Sequence, residues 1–400
     1  MPCSRYWTSS HRRICCQAFP RSFSTTDRLG ADVVRIVEVG PRDGLQNEKT
    51  PLKLNTKIEL ITRLSGTGLR NIEAGSFVSP KWVPQMANSA EVLNHLLDHP
   101  PVAPAPTAYN FLTPNLKGFQ NLLAMMENKN TSKISSSGID APLTSPDSPR
   151  RERGETGEQA PITSTQDPNE MPSSTSGASE NGRSRAQGPK SIEISLFTAA
   201  TETFSKANTN CTIAESLERF KPIISLAKSR DIRVRGYVSV ALGCPYEGPD
   251  VPSSNVANVA ASLLEMGVDE VSVADTTGMG TAPKTQELLK TLFAAGISAH
   301  DLALHFHDTY GQALVNAVVG LEQGIRTFDS SVGGLGGCPF SKGATGNIAT
   351  EDLLHCIHSL GAKTDVDVEQ IAQIGAWISN EIGKPNDSRA GKAILARLSS

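Results

Sequence analysis

The chain has 400 residues, 38% of them apolar, and a formal charge of −3 at pH 7. That length allows one large α/β domain or two ordinary ones, and the near-balance of charge gives no electrostatic case for a nucleic-acid partner. No apolar run approaches the roughly 18 residues of a membrane span, and the seven cysteines show no C-x-x-C spacing, so neither a disulfide framework nor a zinc knuckle is indicated.

In chain order, residues 1–30 carry Arg5, Arg12, Arg13 and Arg21 among many Ser and Thr, with no acid before Asp27. Arginine-rich, serine-rich and acid-poor is the composition of an organelle transit peptide. Arg21-Ser22-Phe23-Ser24 looks like a matrix-processing site, so the expected location is the mitochondrial matrix; a solvated basic tail is the plainer alternative.

From Val33 a rhythm sets in. Short β-branched or apolar runs predict strands over Val33–Val39, Leu69–Ala74, Thr107–Leu112, Ile192–Phe197, Val234–Val240, Glu270–Ala274, Leu302–Phe306 and Thr327–Ser331. Amphipathic segments between them predict helices over Thr56–Leu64, Pro84–Leu97, Asn115–Met126, Ile213–Ser229, Asn255–Met266, Pro283–Ala294, Gly311–Gln323 and Thr350–Leu360. Strand and helix alternating in this way specify a (β/α)8 TIM barrel over residues 31–362. The open doubly wound alternative lacks a G-x-G-x-x-G after its first strand. An extra helix is expected at Val368–Ile382, within a helical extension over residues 363–400. Residues 128–190 break the rhythm: they are rich in Ser, Gly, Pro, Glu and Arg, and no aromatic occurs between Phe119 and Phe197. Such a composition cannot bury enough apolar surface to offset its ordering entropy, so a disordered insertion is expected on the face of the barrel opposite the active one.

Active groups in such barrels come from strand C-terminal ends and the loops that follow. After the first strand, Gly40, Pro41 and Gly44 specify a tight turn that would aim Arg42 and Asp43 over the mouth. At the end of the second, Glu73 is an acid in an apolar run, with an outward, solvated side chain as the alternative. The seventh ends in His305 and His307, which two-residue alternation points to one side. Beyond the eighth lies Gly333-Gly334-Leu335-Gly336-Gly337-Cys338-Pro339, then Gly343-Ala344-Thr345-Gly346-Asn347. Closure makes strands seven, eight and one neighbours, so Asp43, His305, His307 and Asn347 can converge. Two imidazoles, a carboxylate and an amide oxygen leave positions open in octahedral geometry, which suits Mg2+ or Mn2+ better than closed tetrahedral zinc. Cys338, among glycines in a loop fit to act as a lid, is a poor packing residue and a good reactive one. Cys244 has a weaker claim, and Cys356, inside a helix, reads as packing.

The motifs Val39-Gly-Pro-Arg-Asp-Gly-Leu-Gln-Asn-Glu48, Ser76-Phe-Val-Ser-Pro-Lys-Trp-Val-Pro-Gln-Met86, Arg235-Gly-Tyr-Val-Ser239 and Gly333 through Asn347 together resemble the 3-hydroxy-3-methylglutaryl-CoA lyases, DRE-TIM metallolyases. The resemblance runs from about Val37 to Gly361, interrupted by the 128–190 insertion. It implies cation ligands at Asp43, His305, His307 and Asn347, a catalytic arginine at Arg42, a catalytic cysteine at Cys338 and an active-site glutamate at Glu73. Phe340 and Thr345 stand where Tyr and Ser are expected, which bears on loop contacts. The implied reaction is cleavage of 3-hydroxy-3-methylglutaryl-CoA to acetoacetate and acetyl-CoA by a homodimer, with Asp43 or His305 taking the C3 hydroxyl proton and Arg42 facing the developing enolate. Gln46, Ser76 and Thr276 are expected to face this acyl-CoA substrate, and Lys206 and Asn208 to meet its CoA phosphates. The rival readings are a lyase for a longer-branched substrate, a Claisen-condensing synthase and a catalytically dead scaffold barrel.

Overall fold

The computed structural model describes residues 33–136, 191–337 and 346–400, and the side chains of residues 129–136 fall outside that description. The core is a closed barrel of eight parallel strands in sequence order. The strands are β1 Arg35–Glu38, β2 Asn71–Ser76, β3 Ala108–Leu112, β4 Ile192–Ala199, β5 Val234–Ser239, β6 Glu270–Asp275, β7 Leu302–Phe306 and β8 Thr327–Ser330. Closure is direct: Arg35 pairs with Thr327 and Glu38 with Ser330, while His305 of β7 pairs with Asp329 of β8.

Around the barrel run α1 Leu54–Ser65, α2 Ser89–Asp98, α3 Leu116–Ser136, α4 Glu202–Thr209, α5 Ile213–Lys228, α6 Ser253–Glu265, α7 Ala282–Ala294, α8 Ala313–Glu322 and α9 Thr350–Ser359. Their apolar stripes supply the core: Leu60, Ile61 and Leu64 of α1 and Val256, Ala260 and Leu263 of α6 are fully buried, as the 3.6-residue period requires. Thr212 and Glu215 form a capping box that fixes the start of α5, each side chain bonding the other's backbone amide.

The structure departs from the expected elements at four places. The segment expected as one helix over Pro84–Leu97 is a single turn at Pro84–Met86 followed by α2. Helix α3 runs to Ser136, past the expected insertion boundary at 128, because Glu127–Ser136 contains neither Pro nor Gly to stop it. Residues 137–190 of that insertion, like the leader over 1–30, lie outside the described residues. Between β4 and α5 sits the additional helix α4, capped by the Thr201 hydroxyl. Beyond the expected terminal helix, α10 Val368–Ile382, a second one, α11 Arg389–Leu398, is capped by Ser388.

Candidate active site

The turn after β1 is one turn of π-helix over Gly40–Gly44, in which the Gly44 amide reaches back to the Val39 carbonyl at 3.1 Å. It is wider than the tight turn that Gly40, Pro41 and Gly44 suggested, and it carries Arg42 and Asp43 to the wall of a cavity at the barrel mouth. Gly44 has to be glycine, since a Cβ there would lie 2.6 Å from Ser331 Oγ and 2.9 Å from Leu335 Cβ. The fourth member of the expected cluster arrives by a different route. Residues 346–349 lie between the ends of β7 and β8: Asn347 bridges to His307, the Ile348 amide donates to the Phe306 carbonyl at 2.9 Å, and the Ser331 amide donates to the Ile348 carbonyl at 3.0 Å.

The four side chains meet at the barrel mouth. Asp43 Oδ2 stands 3.9 Å from His305 Nε2 and 4.0 Å from His307 Nε2, and ligand atoms of the three lie within 4.8 Å of one another. Asn347 Nδ2 donates to the same Asp43 oxygen at 2.9 Å and to the Leu335 carbonyl at 3.1 Å, leaving Asn347 Oδ1 buried without a hydrogen-bond partner. An orphaned buried acceptor beside a carboxylate and two imidazoles is a donor set that fits a divalent cation. Burial works to raise the Asp43 carboxyl, but Arg42, His305 and His307 outweigh it and hold the group below the usual carboxylate range. Behind the cluster, His305 Nδ1 meets Asp329 Oδ2 at 3.2 Å, which sets the ring so that Nε2 faces Asp43. Asp329 is held at about 2: burial pushes it up, and the Arg235 guanidinium and the His305 bond more than reverse that.

Beside the cluster lies a second polar group. Arg42 donates from Nε to Glu73 Oε2 at 2.7 Å, places Nη2 2.6 Å from the same oxygen and donates from Nη1 to Asp43 Oδ1 at 2.7 Å. Burial opposes the guanidinium charge, and the Glu73 and Asp43 carboxylates more than restore it, so its pKa stands above the ordinary value. Glu73 is fully buried and also accepts from Ser195 Oγ at 2.8 Å and Tyr237 at 3.3 Å; the outward, solvated alternative for it is excluded. Glu73 does not line the cavity; it reaches the site through Arg42. Tyr237 lies between two cations, its ring centroid 5.5 Å from the Arg42 guanidinium and 5.1 Å from that of Arg235.

The cavity above these groups holds about 760 Å3 and is bounded by Arg42, Asp43, His305 and His307 on its polar side and by Leu112 and Phe197 on its apolar side. Of the expected substrate contacts, Gln46, Ser76, Thr276 and Asn208 line it, and Lys206 does not. Lys206 and Asn208 both sit on α4, where residues two apart point to nearly opposite sides, so only one of them can face the cavity. Lys206 is exposed. Cys338 lies outside the described residues, as do Phe340 and Thr345. Its neighbour Gly337 lines the cavity and accepts from Asn47 Nδ2 at 2.7 Å. Cys244 is fully buried with Sγ 3.3 Å from Thr201 Oγ1, and Cys356 is half-buried in α9.

Tyr237, Arg235, Asp329 and Ser195 were not singled out individually from the sequence. The signal was there: Arg235, Tyr237 and Ser239 alternate along β5, and Glu193 and Ser195 do so along β4, which places polar side chains inside a barrel where an apolar filling is the default.

Fold and site together define a (β/α)8-barrel enzyme whose acid–imidazole cluster adjoins a buried, doubly paired arginine. The HMGL-like family matches residues 33–121 and 161–378, and the chain belongs to it. The hydroxymethylglutaryl-CoA lyase of Pseudomonas mevalonii is 43% identical over 364 residues, covering 91% of this chain and 97% of that one. The mitochondrial hydroxymethylglutaryl-CoA lyase of Gallus gallus is 40% identical over 360 residues, covering 90% and 97%. The crystal structure of hydroxymethylglutaryl-CoA lyase from Pseudomonas aeruginosa superposes with a TM-score of 0.71 at 42% identity, covering 92% of this chain and 98% of that one.

Proposed function

We propose that this protein cleaves 3-hydroxy-3-methylglutaryl-CoA to acetoacetate and acetyl-CoA, using a divalent cation, Mg2+ or Mn2+, held by Asp43, His305, His307 and Asn347. The observation that carries the reading is the meeting of those four polar groups, one of them an orphaned buried amide oxygen, beside Arg42 in a cavity of about 760 Å3. It agrees with the activity named for the relatives in Pseudomonas mevalonii and Gallus gallus. When bound, the cation lowers the pKa of the substrate's C3 hydroxyl and fixes its orientation.

The chain's own groups do the rest. The hydroxyl proton has the Asp43 carboxylate as its acceptor in the same space, since an oxygen that held the cation would keep a further lone pair. His305 Nε2, 3.9 Å away, would give its single lone pair to the cation, its Nδ1 being turned to Asp329. As the C2–C3 bond breaks, negative charge grows on the thioester oxygen of the departing acetyl-CoA. Arg42 supplies a fixed positive charge for it, held in place by Glu73 so that no reorganisation is needed during the reaction. Cys338 gives a proton to the enolate carbon, completing acetyl-CoA. Ser76, Gln46, Thr276 and Asn208 line the cavity and are the groups offered to the acyl-CoA. The acid-poor leader over 1–30 directs the protein to the mitochondrial matrix, in keeping with the word mitochondrial in the name of the Gallus gallus relative.

The test is acetyl-CoA release by the purified protein from 3-hydroxy-3-methylglutaryl-CoA, with added Mg2+ and after chelation, beside condensation of acetyl-CoA with 2-oxo acids. Cleavage that depends on the cation is expected, with no condensation. Cys338→Ser is expected to bind Mn2+ and substrate as before yet lose turnover; wild-type turnover would remove Cys338 from the mechanism.

A further inference from the structure

Tyr237 lies in the wall of the cavity, and no step of the cleavage described above uses it. It stands on β5 with Arg235 at the alternate position before it, so both side chains turn to the inside of the barrel, where both are buried. The Tyr237 hydroxyl takes a hydrogen bond from Arg235 Nη1 at 2.9 Å and donates to Glu73 Oε2 at 3.3 Å. Chemistry forces both directions. A guanidinium has no acceptor, so Arg235 must use a hydroxyl lone pair, and the single phenolic proton is left for the carboxylate.

Arg235 is a rigid anchor for that hydroxyl. Its three side-chain nitrogens are all engaged, Nε with Glu270 at 3.0 Å, Nη2 with Asp329 at 2.6 Å and Nη1 with Tyr237. Glu73 needs such an anchor. Its Oε1 accepts from Ser195 at 2.8 Å, and a carboxylate gripped at one oxygen still swings about its broad terminal torsion. Its Oε2 carries Arg42, whose other carboxylate partner is Asp43 of the metal-type cluster. The plane of the Glu73 carboxylate therefore decides where the Arg42 guanidinium points, and Tyr237 holds the oxygen that Ser195 does not.

These links close into a ring. Asp43, Arg42, Glu73, Tyr237, Arg235, Asp329 and His305 are successive neighbours, and His305 Nε2 returns to within 3.9 Å of Asp43. Tyr237 joins the half that faces the cation site to the half that faces the thioester. Its aromatic ring also separates two like charges, the centroid lying 5.5 Å from the Arg42 guanidinium and 5.1 Å from that of Arg235, an arrangement that attracts both cations. The same ring meets His305 edge-on, with centroids 6.1 Å apart.

We propose that Tyr237 is a positioning residue of the cleavage reaction: its hydroxyl, anchored on Arg235, fixes the plane of the Glu73 carboxylate and thereby the aim of Arg42 at the thioester oxygen. The proposal rests on the lyase reading given above. Tyr237 gives no proton to the substrate, because its proton is committed to Glu73. It acts through Glu73 alone, and that is what separates it from a residue that merely packs the barrel.

The experiment is a double-mutant cycle on the full-length protein, with Tyr237→Phe, Glu73→Ala and the two combined, reading kcat and KM for 3-hydroxy-3-methylglutaryl-CoA at saturating Mg2+ and Mn2+ affinity by calorimetry. Tyr237→Phe removes the hydroxyl and keeps the ring between the guanidinium groups and against His305. A lost hydrogen bond to a charged acceptor is typically felt as about tenfold or more, so Tyr237→Phe is expected to lower kcat by about tenfold in the wild-type background. Added to Glu73→Ala, where the hydroxyl has nothing to act on, it is expected to change kcat by less than about twofold. KM and Mn2+ affinity of Tyr237→Phe should stay within about twofold of wild type, since its ring still backs His305. Wild-type turnover by Tyr237→Phe, or an equal loss with and without Glu73, overturns the proposal and leaves the lyase reading intact. Mn2+ affinity falling in step with kcat also overturns it, since the hydroxyl would then hold the barrel wall as a whole. A wild type that does not cleave the substrate refutes the lyase reading and the proposal with it. Should either replacement fail to fold by circular dichroism, Tyr237→Met and Glu73→Leu carry the same cycle.

Discussion

Asp329 never touches the cavity, yet it accepts from Ser272 at 2.8 Å, Arg235 at 2.6 Å and His305 at 3.2 Å, and so orients one of the two imidazoles that do. With its carboxyl held at about 2, it remains charged at any pH where the protein works. Asp329→Asn keeps the shape and removes the charge. Arg235 retains Glu270 as an ion-pair partner at 3.0 Å, so the barrel is expected to stay folded. Partners behind metal-binding histidines are typically worth about 10–100-fold in affinity, and Mn2+ binding by calorimetry should weaken by about that factor. Unchanged binding would mean that packing alone aims His305. The same scale explains why Glu73 is no spare acid: it spends one oxygen on Arg42 and the other on Ser195, and an arginine in a buried site without such a partner would face the desolvation cost alone.

Among the elements, the C-terminal pair α10 and α11 backs the site from outside the barrel. The Asp387 amide donates to the Gly333 carbonyl at 3.0 Å, and Ser388, which caps α11, donates to Asp352 at 2.6 Å. Gly375 of α10 packs so closely that an added Cβ would run into Glu351 Oε1 and lie 2.9 Å from Asn386 Nδ2. Overpacking of this kind typically costs about 1–3 kcal/mol, so Gly375→Ala should lower the urea midpoint accordingly and weaken Mn2+ binding with it. Wild-type stability would show that the extension yields to the methyl group. The second terminal helix was not anticipated. Its signal was a Ser388 cap ahead of a run whose apolar residues are only Ile394, Leu395 and Leu398 among small and basic ones.

At the scale of the molecule, α3 ends at Ser136 and β4 begins at Ile192, both on the side of the barrel away from the strand ends that carry Asp43 and His305, and residues 137–190 join them in sequence. Loop length is cheap, about 0.6 kcal/mol per doubling. Replacing residues 140–188 by a short Gly-Ser linker should leave kcat and KM for 3-hydroxy-3-methylglutaryl-CoA within about twofold, a stability-neutral change on that scale. A large loss of turnover would tie the segment to catalysis and overturn its reading as an insertion.

Period and punctuation in the chain were enough to specify eight strand–helix units, because residue spacing decides which face a side chain takes within its own element. Ring closure then followed, and with it the approach of residue 43 to 305 and 307, since strands eight and one must pair. Contacts spanning the chain could not be read that way. Glu38 meets Val332 across 294 positions and Asp329 meets His305 across 24; each depends on the register of strands and on the path of irregular backbone between them. The π-helical width of the 40–44 turn, the strip that carries Asn347 between β7 and β8, the inward aim of Glu73 and the outward aim of Lys206 were settled only by packing. Local sequence lowers the energy of an element, whereas the direction of a side chain at an element's end is set by neighbours that only the assembled barrel brings near.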